Sequence, residues 1–68
     1  MSPKPKIGNK LKFLRKQHKL TQVELAKKAG ISANYYARIE RDEENPSIEV
    51  LQALAKALKV ASSDILDF

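Results

Sequence analysis

The apolar positions recur at the spacing of α-helices, in short blocks separated by polar breaks. Ile7, Leu11 and Leu14, with His18 after them, fall at i, i+4, i+7 and i+11, which predicts a first helix from Ile7 to about Lys19. From Thr21 to Glu40 the chain reads TQVELAKKAGISANYYARIE, two short helices joined by a sharp turn. Thr21 is a good N-cap, and Glu24 three residues on completes a capping box. Val23, Leu25, Ala26 and Ala29 give the second helix an apolar side. Gly30 stands where that helix must stop, and only glycine takes positive φ without steric cost. Ile31 turns back toward a core, and Ser32 caps a third helix running to about Arg41. In it Tyr35, Tyr36 and Ile39 cluster on one side, and Ala33, Asn34, Ala37 and Arg38 on the other.

The rest of the chain closes the domain. RDEENPS, Arg41 to Ser47, reads as a loop. Ser47 caps a fourth helix, Ile48 to Leu58, with Glu49 in its first turn. Ile48, Leu51, Leu54, Ala55 and Leu58 form its core face, and Val50, Ala53 and Ala57 a second, smaller apolar face. A short fifth helix, Ser62 to Asp67, is expected to be capped by Ser62. Ile65, Leu66 and Phe68 end the chain with more apolar surface than six residues can hide. Together with Val50, Ala53 and Ala57 they make candidate contacts for a second copy; the alternative is closure of the chain's own core. The fold class read from this pattern is all-α, a compact five-helix bundle over residues 7–68. A flexible basic arm, MSPKPK, precedes it over residues 1–6, where Pro3 and Pro5 disfavour helix.

Composition then narrows the chemistry. Sixty-eight residues make one domain with a modest core. There is no cysteine and one histidine, so neither a disulfide framework nor a metal centre is expected. No apolar run approaches the ~20 residues of a membrane helix, and the N-terminus lacks an apolar signal segment. A cytoplasmic location without a membrane partner follows as the expectation. The formal net charge is +5. It is concentrated early: Lys4, Lys6, Lys10, Lys12, Arg15, Lys16 and Lys19 precede any acidic residue. Such a block suits a polyanion. No nucleophile–base pair, metal-ligand spacing or glycine-rich phosphate loop is present, so no enzyme, cofactor or small-molecule ligand is expected. Glu43 and Glu44 are adjacent loop carboxylates and read as solvated.

The stretch 21–40 resembles the helix-turn-helix of the phage-repressor and Cro-like family, also called the XRE family. The resemblance rests on small Ala26 at the helix crossing, Gly30 at the turn, and apolar Leu25, Ile31, Tyr36 and Ile39 in register. It extends from Ile7 to about Leu66 and implies a lambda repressor-like DNA-binding domain. By position, Ser32, Ala33, Asn34 and Arg38 would reach base edges in the major groove. Asn34 suits adenine, Arg38 guanine, and Ala33 a thymine methyl; a surface ion pair is the other reading of Arg38. Gln22 corresponds to a glutamine that clamps phosphate, where the first N–H groups of a helix are free. Tyr35, Lys10, Lys19 and Lys27 are further phosphate candidates. Arg15 and Glu40 correspond to a structural ion pair tying the first helix to the third. His18 is expected to pack or to cap the first helix.

Four departures from the family pattern stand out. Phe13 lies where a polar residue is usual, opposite the apolar stripe. Asp42 and Lys59 replace helix-ending glycines, and Asp42, Glu43 and Glu44 form an acidic run where relatives touch the DNA backbone. Those acids would repel phosphates unless basic residues of the same chain neutralise them. The resemblance implies sequence-specific binding of double-stranded DNA as a dimer on a palindromic operator, by a repressor or autoregulator of transcription. The alternative is a small protein-interaction adaptor on the same fold, using the apolar C-terminus.

Overall fold

The computed structural model describes residues 7–65. Its helices are α1 (Ile7–Gln17), α2 (Gln22–Ala29), α3 (Ala33–Glu40), α4 (Ile48–Ala57) and α5 (Ser62–Ile65), and no strand occurs among the described residues. The basic arm, and Leu66 and Phe68 of the apolar terminus, lie outside them.

Side-chain caps open three of the helices. Thr21 and Glu24 make the reciprocal capping box of α2, with Thr21 N–H donating to Glu24 Oε1 at 2.8 Å and Glu24 N–H to Thr21 Oγ1 at 3.0 Å. Ser32 Oγ accepts the Tyr35 N–H at 3.0 Å, and Ser47 Oγ accepts that of Val50 at 3.2 Å. Ser62, expected to cap α5, is instead its first helical residue. The Ala61 N–H before it donates to Asp64 Oδ2 at 3.0 Å.

Helices α1 to α4 end on one backbone device. A residue turns left-handed, and the next N–H folds back to a carbonyl five positions earlier. The left-handed residues are Lys19 (φ 55°), Gly30 (φ 77°), Asp42 (φ 60°) and Lys59 (φ 57°). The closing bonds run from the N–H of Leu20 to Arg15 O (3.1 Å), Ile31 to Ala26 O (3.0 Å), Glu43 to Arg38 O (2.9 Å) and Val60 to Ala55 O (3.0 Å). Helix α1 therefore stops two residues short of Lys19, the predicted end. Asp42 and Lys59 do the work of the missing glycines, at a steric cost glycine would not carry. His18 lies off the buried stripe: it is exposed, and its Nδ1–H donates to Leu14 O at 2.9 Å, capping the end of α1.

Leu11, Leu14, Leu25, Ala26, Tyr36, Ile39, Leu51, Leu54, Ala55, Leu58 and Ile65 form the core. Helix α2 packs on α3 and α4, α1 packs on α3 and α5, and α4 on α5. Three apolar expectations need correction. Val23 is 61% exposed, because two residues from Leu25 is more than half a helical turn. Ile48 is 60% exposed, at the first position of α4 where the inward stripe has not yet begun. Ile65 is 2% exposed inside this chain's own core, so it is withdrawn from the candidates for contact with a second copy. Val50 and Ala57 also pack partly on the core, and Ala53 is half-buried.

Gly8 draws α1 against the end of α3. A Cβ there would lie 2.7 Å from the Ile39 carbonyl oxygen and nearer still to that of Glu40. The Gly8 N–H also donates to Asp42 Oδ1 at 3.3 Å. Both neighbours are backbone and cannot swing away. Gly8→Ala should therefore destabilise the fold by about 1–2 kcal/mol, the overpacking penalty outweighing the ~1 kcal/mol propensity gain; a chemical-denaturation midpoint measures it. Lys59→Gly should do the reverse, stabilising by about 0.5–1 kcal/mol as left-handed strain is relieved, read as a raised midpoint at unchanged slope.

Candidate nucleic-acid interface

The back of α3 is fixed by burial and by charge. Tyr36 and Ile39 are buried, and Glu40 closes the helix at 8% exposure. Arg15 Nε donates to Glu40 Oε2 at 2.6 Å, and Arg15 Nη2 to Oε1 at 3.3 Å. Gln22 Nε2 donates to the same Oε1 at 3.0 Å, and Arg15 Nη1 to the Leu20 carbonyl at 2.8 Å. One carboxylate thus gathers donors from α1 and α2 onto the end of α3. Burial alone would raise the Glu40 pKa; the bonds from Arg15 and Gln22, with the Tyr36 hydroxyl beside them, outweigh it and hold the carboxyl below its ordinary value. Among the described residues the buried Tyr36 hydroxyl has no partner at hydrogen-bonding geometry. Burial first, and then the Glu40 carboxylate, push its ionisation far above the usual phenol range.

The front of α3 is open. Asn34 and Arg38, one turn apart, are exposed, and Arg41 extends the same stripe. Ser32 is exposed, with its oxygen already accepting the α3 cap. Ala33 packs partly on the core, and Tyr35 is half-buried beside it. Gln22 is half-buried at the start of α2, its amide oriented by Glu40. Lys19 and Lys27 are exposed and Lys10 is half-buried. Phe13 is 60% exposed on the outer side of α1, away from the core as its register predicts.

The acidic loop is spent internally. Asp42 holds Gly8, Glu43 meets Arg41, and Glu44 Oε2 accepts from Arg38 Nη1 at 3.2 Å. The ion-pair reading of Arg38 thus describes the free protein. Sequence reasoning missed three features here: the close approach at Gly8, the Gln22–Glu40 bond, and Arg41 on the outward stripe. The i, i+4, i+7 spacing of Asn34, Arg38 and Arg41 was the available signal for the last.

The fold and this arrangement define a helix-turn-helix domain whose second helix presents a polar face that is exposed among the described residues. The sequence profile described as "Helix-turn-helix" (HTH_3) matches residues 11–65. The chain is 50% identical over 60 residues to the immunity repressor protein of Bacillus phage phi105, covering 88% of this chain and 42% of that protein. It is 42% identical over 59 residues to an uncharacterized HTH-type transcriptional regulator of Methanocaldococcus jannaschii, covering 87% and 89%. Among solved structures it superposes on SinR, a master regulator for biofilm formation, in complex with DNA. The TM-score is 0.86 at 39% identity, covering 90% of this chain and 98% of that one. The chain belongs to the HTH_3 helix-turn-helix family. It spans less than half the length of the phi105 repressor.

Because the Glu40 pKa is lowered on folding, its contribution to stability is complete above the unfolded carboxylate value of about 4.3. It is lost as pH falls through the lowered folded value. Glu40→Gln should cost about 3 kcal/mol at neutral pH, because Arg15 is left buried without its counter-charge. That variant should also lose part of the wild-type acid dependence below about pH 4, measured as unfolding free energy against pH.

Proposed function

We propose that the protein binds double-stranded DNA sequence-specifically as a transcription regulator, with α3 in the major groove. The observation that carries this is the exposure of Asn34 and Arg38 one turn apart on a helix whose opposite side is locked by Tyr36, Ile39 and Glu40. In that pose Asn34 bonds adenine and Arg38 guanine, with Ser32 and the free part of Ala33 at the neighbouring base edges. Gln22 at the α2 N-terminus, Tyr35, Lys10, Lys19 and Lys27 hold phosphates and set the register.

The working unit is a homodimer with two α3 helices ~34 Å apart on an inverted repeat. Val50, Ala53 and Ala57 join its interface with Leu66 and Phe68. Residues 7–68 act as the DNA-binding domain and 1–6 as a flexible basic arm. The protein acts by occupying DNA in the cytoplasm, without catalysis. The repressor name of its phage phi105 relative and the DNA complex of SinR support this reading.

Selection from a random duplex pool should return one inverted repeat, with log affinity falling linearly in log salt. Arg38→Ala should relax preference at one base pair by about 1–3 kcal/mol. Recovery of nothing above background, with salt-independent capture of a protein partner, would favour the adaptor reading instead.

A further inference from the structure

Two arginines stand on the outward stripe of α3, and the loop that follows holds them in different ways. Arg41 is closed side-on: its Nε donates to Glu43 Oε2 at 3.0 Å and its Nη2 to Glu43 Oε1 at 3.2 Å. That Nε–Nη2 edge is one a guanidinium can present to the paired acceptors of a base. Arg38 is held by one terminal nitrogen, Nη1, at 3.2 Å from Glu44 Oε2. Among the described residues this is the guanidinium's one hydrogen bond, and the Arg38 and Glu44 side chains are 48% and 37% exposed.

We propose that Glu44 is a positioning residue for base reading: it holds Arg38 by Nη1 alone, leaving the Nε–Nη2 edge to engage O6 and N7 of a guanine. The inference rests on the DNA-reading role proposed above for Arg38.

The loop is built to keep Glu44 in place. Asp42 turns left-handed and ties the loop to α1 through the Gly8 N–H. The Glu43 N–H is bonded to the Arg38 carbonyl at 2.9 Å. Pro46 fixes its own φ, and Ser47 caps α4 immediately after. Glu44 is therefore anchored from both sides, next to the last turn of the helix whose arginine it touches. A carboxylate so placed does two things. It removes rotamer freedom from Arg38 before DNA arrives, so less is lost when the guanine bonds form. It also keeps the guanidinium partly neutralised and tethered, so Arg38 gains little by swinging to a phosphate on a duplex that offers no guanine there. Both effects favour the guanine site over other sequences. Arg41, whose two-nitrogen edge is taken, is left out of base reading.

The test is a double-mutant cycle. Wild type, Glu44→Gln, Arg38→Ala and the double variant are titrated with the duplex recovered by selection. They are titrated also with a copy changed at the Arg38-dependent base pair, and with a scrambled duplex. Glu44→Gln should reduce the preference for guanine at that position by about three- to fivefold, the scale of an exposed ion pair. On the scrambled duplex it should bind more tightly than wild type. The slope of log affinity against log salt should steepen there by about 0.9, one added phosphate contact. In the Arg38→Ala background Glu44→Gln should leave base preference unchanged. Arg41→Ala should leave base preference as in wild type.

Equal tightening of Glu44→Gln on all three duplexes, persisting without Arg38, would overturn the proposal and make the acid a plain repulsive charge. So would an unchanged guanine preference. A wild type with no preference for any duplex would instead sink the DNA-reading role itself, and the positioning role with it. Melting curves of each variant establish that the titrated protein is folded.

Discussion

The structure depends on one carboxylate at the end of α3. Glu40 accepts the Arg15 fork from α1 and the Gln22 amide from α2, so three helices meet on two oxygen atoms. An acid this buried is tolerable because its charge is answered and its lone pairs are used. A salt bridge of this kind is weak evidence of net stability, but its geometry is specific. Burial of Tyr36 and Ile39 could hold α3 against the domain without fixing how the helix turns about its axis. The Arg15 fork supplies that constraint, and Gln22 couples it to the start of α2.

The same helix end carries the close packing of α1. Gly8 lets the α1 backbone meet the carbonyls of Ile39 and Glu40, and Asp42 reaches back to its N–H. The chain thus spends its acidic loop on itself. Each of the three acids has a partner in this chain, and two of those partners lie on the exposed stripe of α3. A run that looks hostile to DNA as a sequence is, folded, partly neutral and tied to the helix it follows. Electrostatic repulsion depends on where charges lie and what they pair with, which the order of letters does not state.

Much of this was legible beforehand, for a local reason. The N-caps at Thr21, Ser32 and Ser47 bond a backbone three residues on, and Gly30 marks a turn by its own backbone freedom. The Arg15–Glu40 pair lies 25 residues apart and was reached through family resemblance rather than spacing. Ile48 faces outward because apolarity alone does not say which way a residue at a helix start points, and Val23 because it lies half a turn from Leu25. Of the two readings open to Ile65, closure of the chain's own core is the one the packing of α5 on α1 and α4 supports.

By itself the sequence determined the helices, the caps that open α2, α3 and α4, the helix-turn-helix and the basic first third, since each is set within a few residues or by a summed charge. Only the tertiary structure decided that Gly8 is a contact, that Gln22 answers to Glu40, and that Arg38 and Arg41 are held differently by neighbouring glutamates. Those facts hang on ångström-scale distances between atoms of separate elements, or on which nitrogen of a fork is used. Spacing and composition carry neither; packing fixes both.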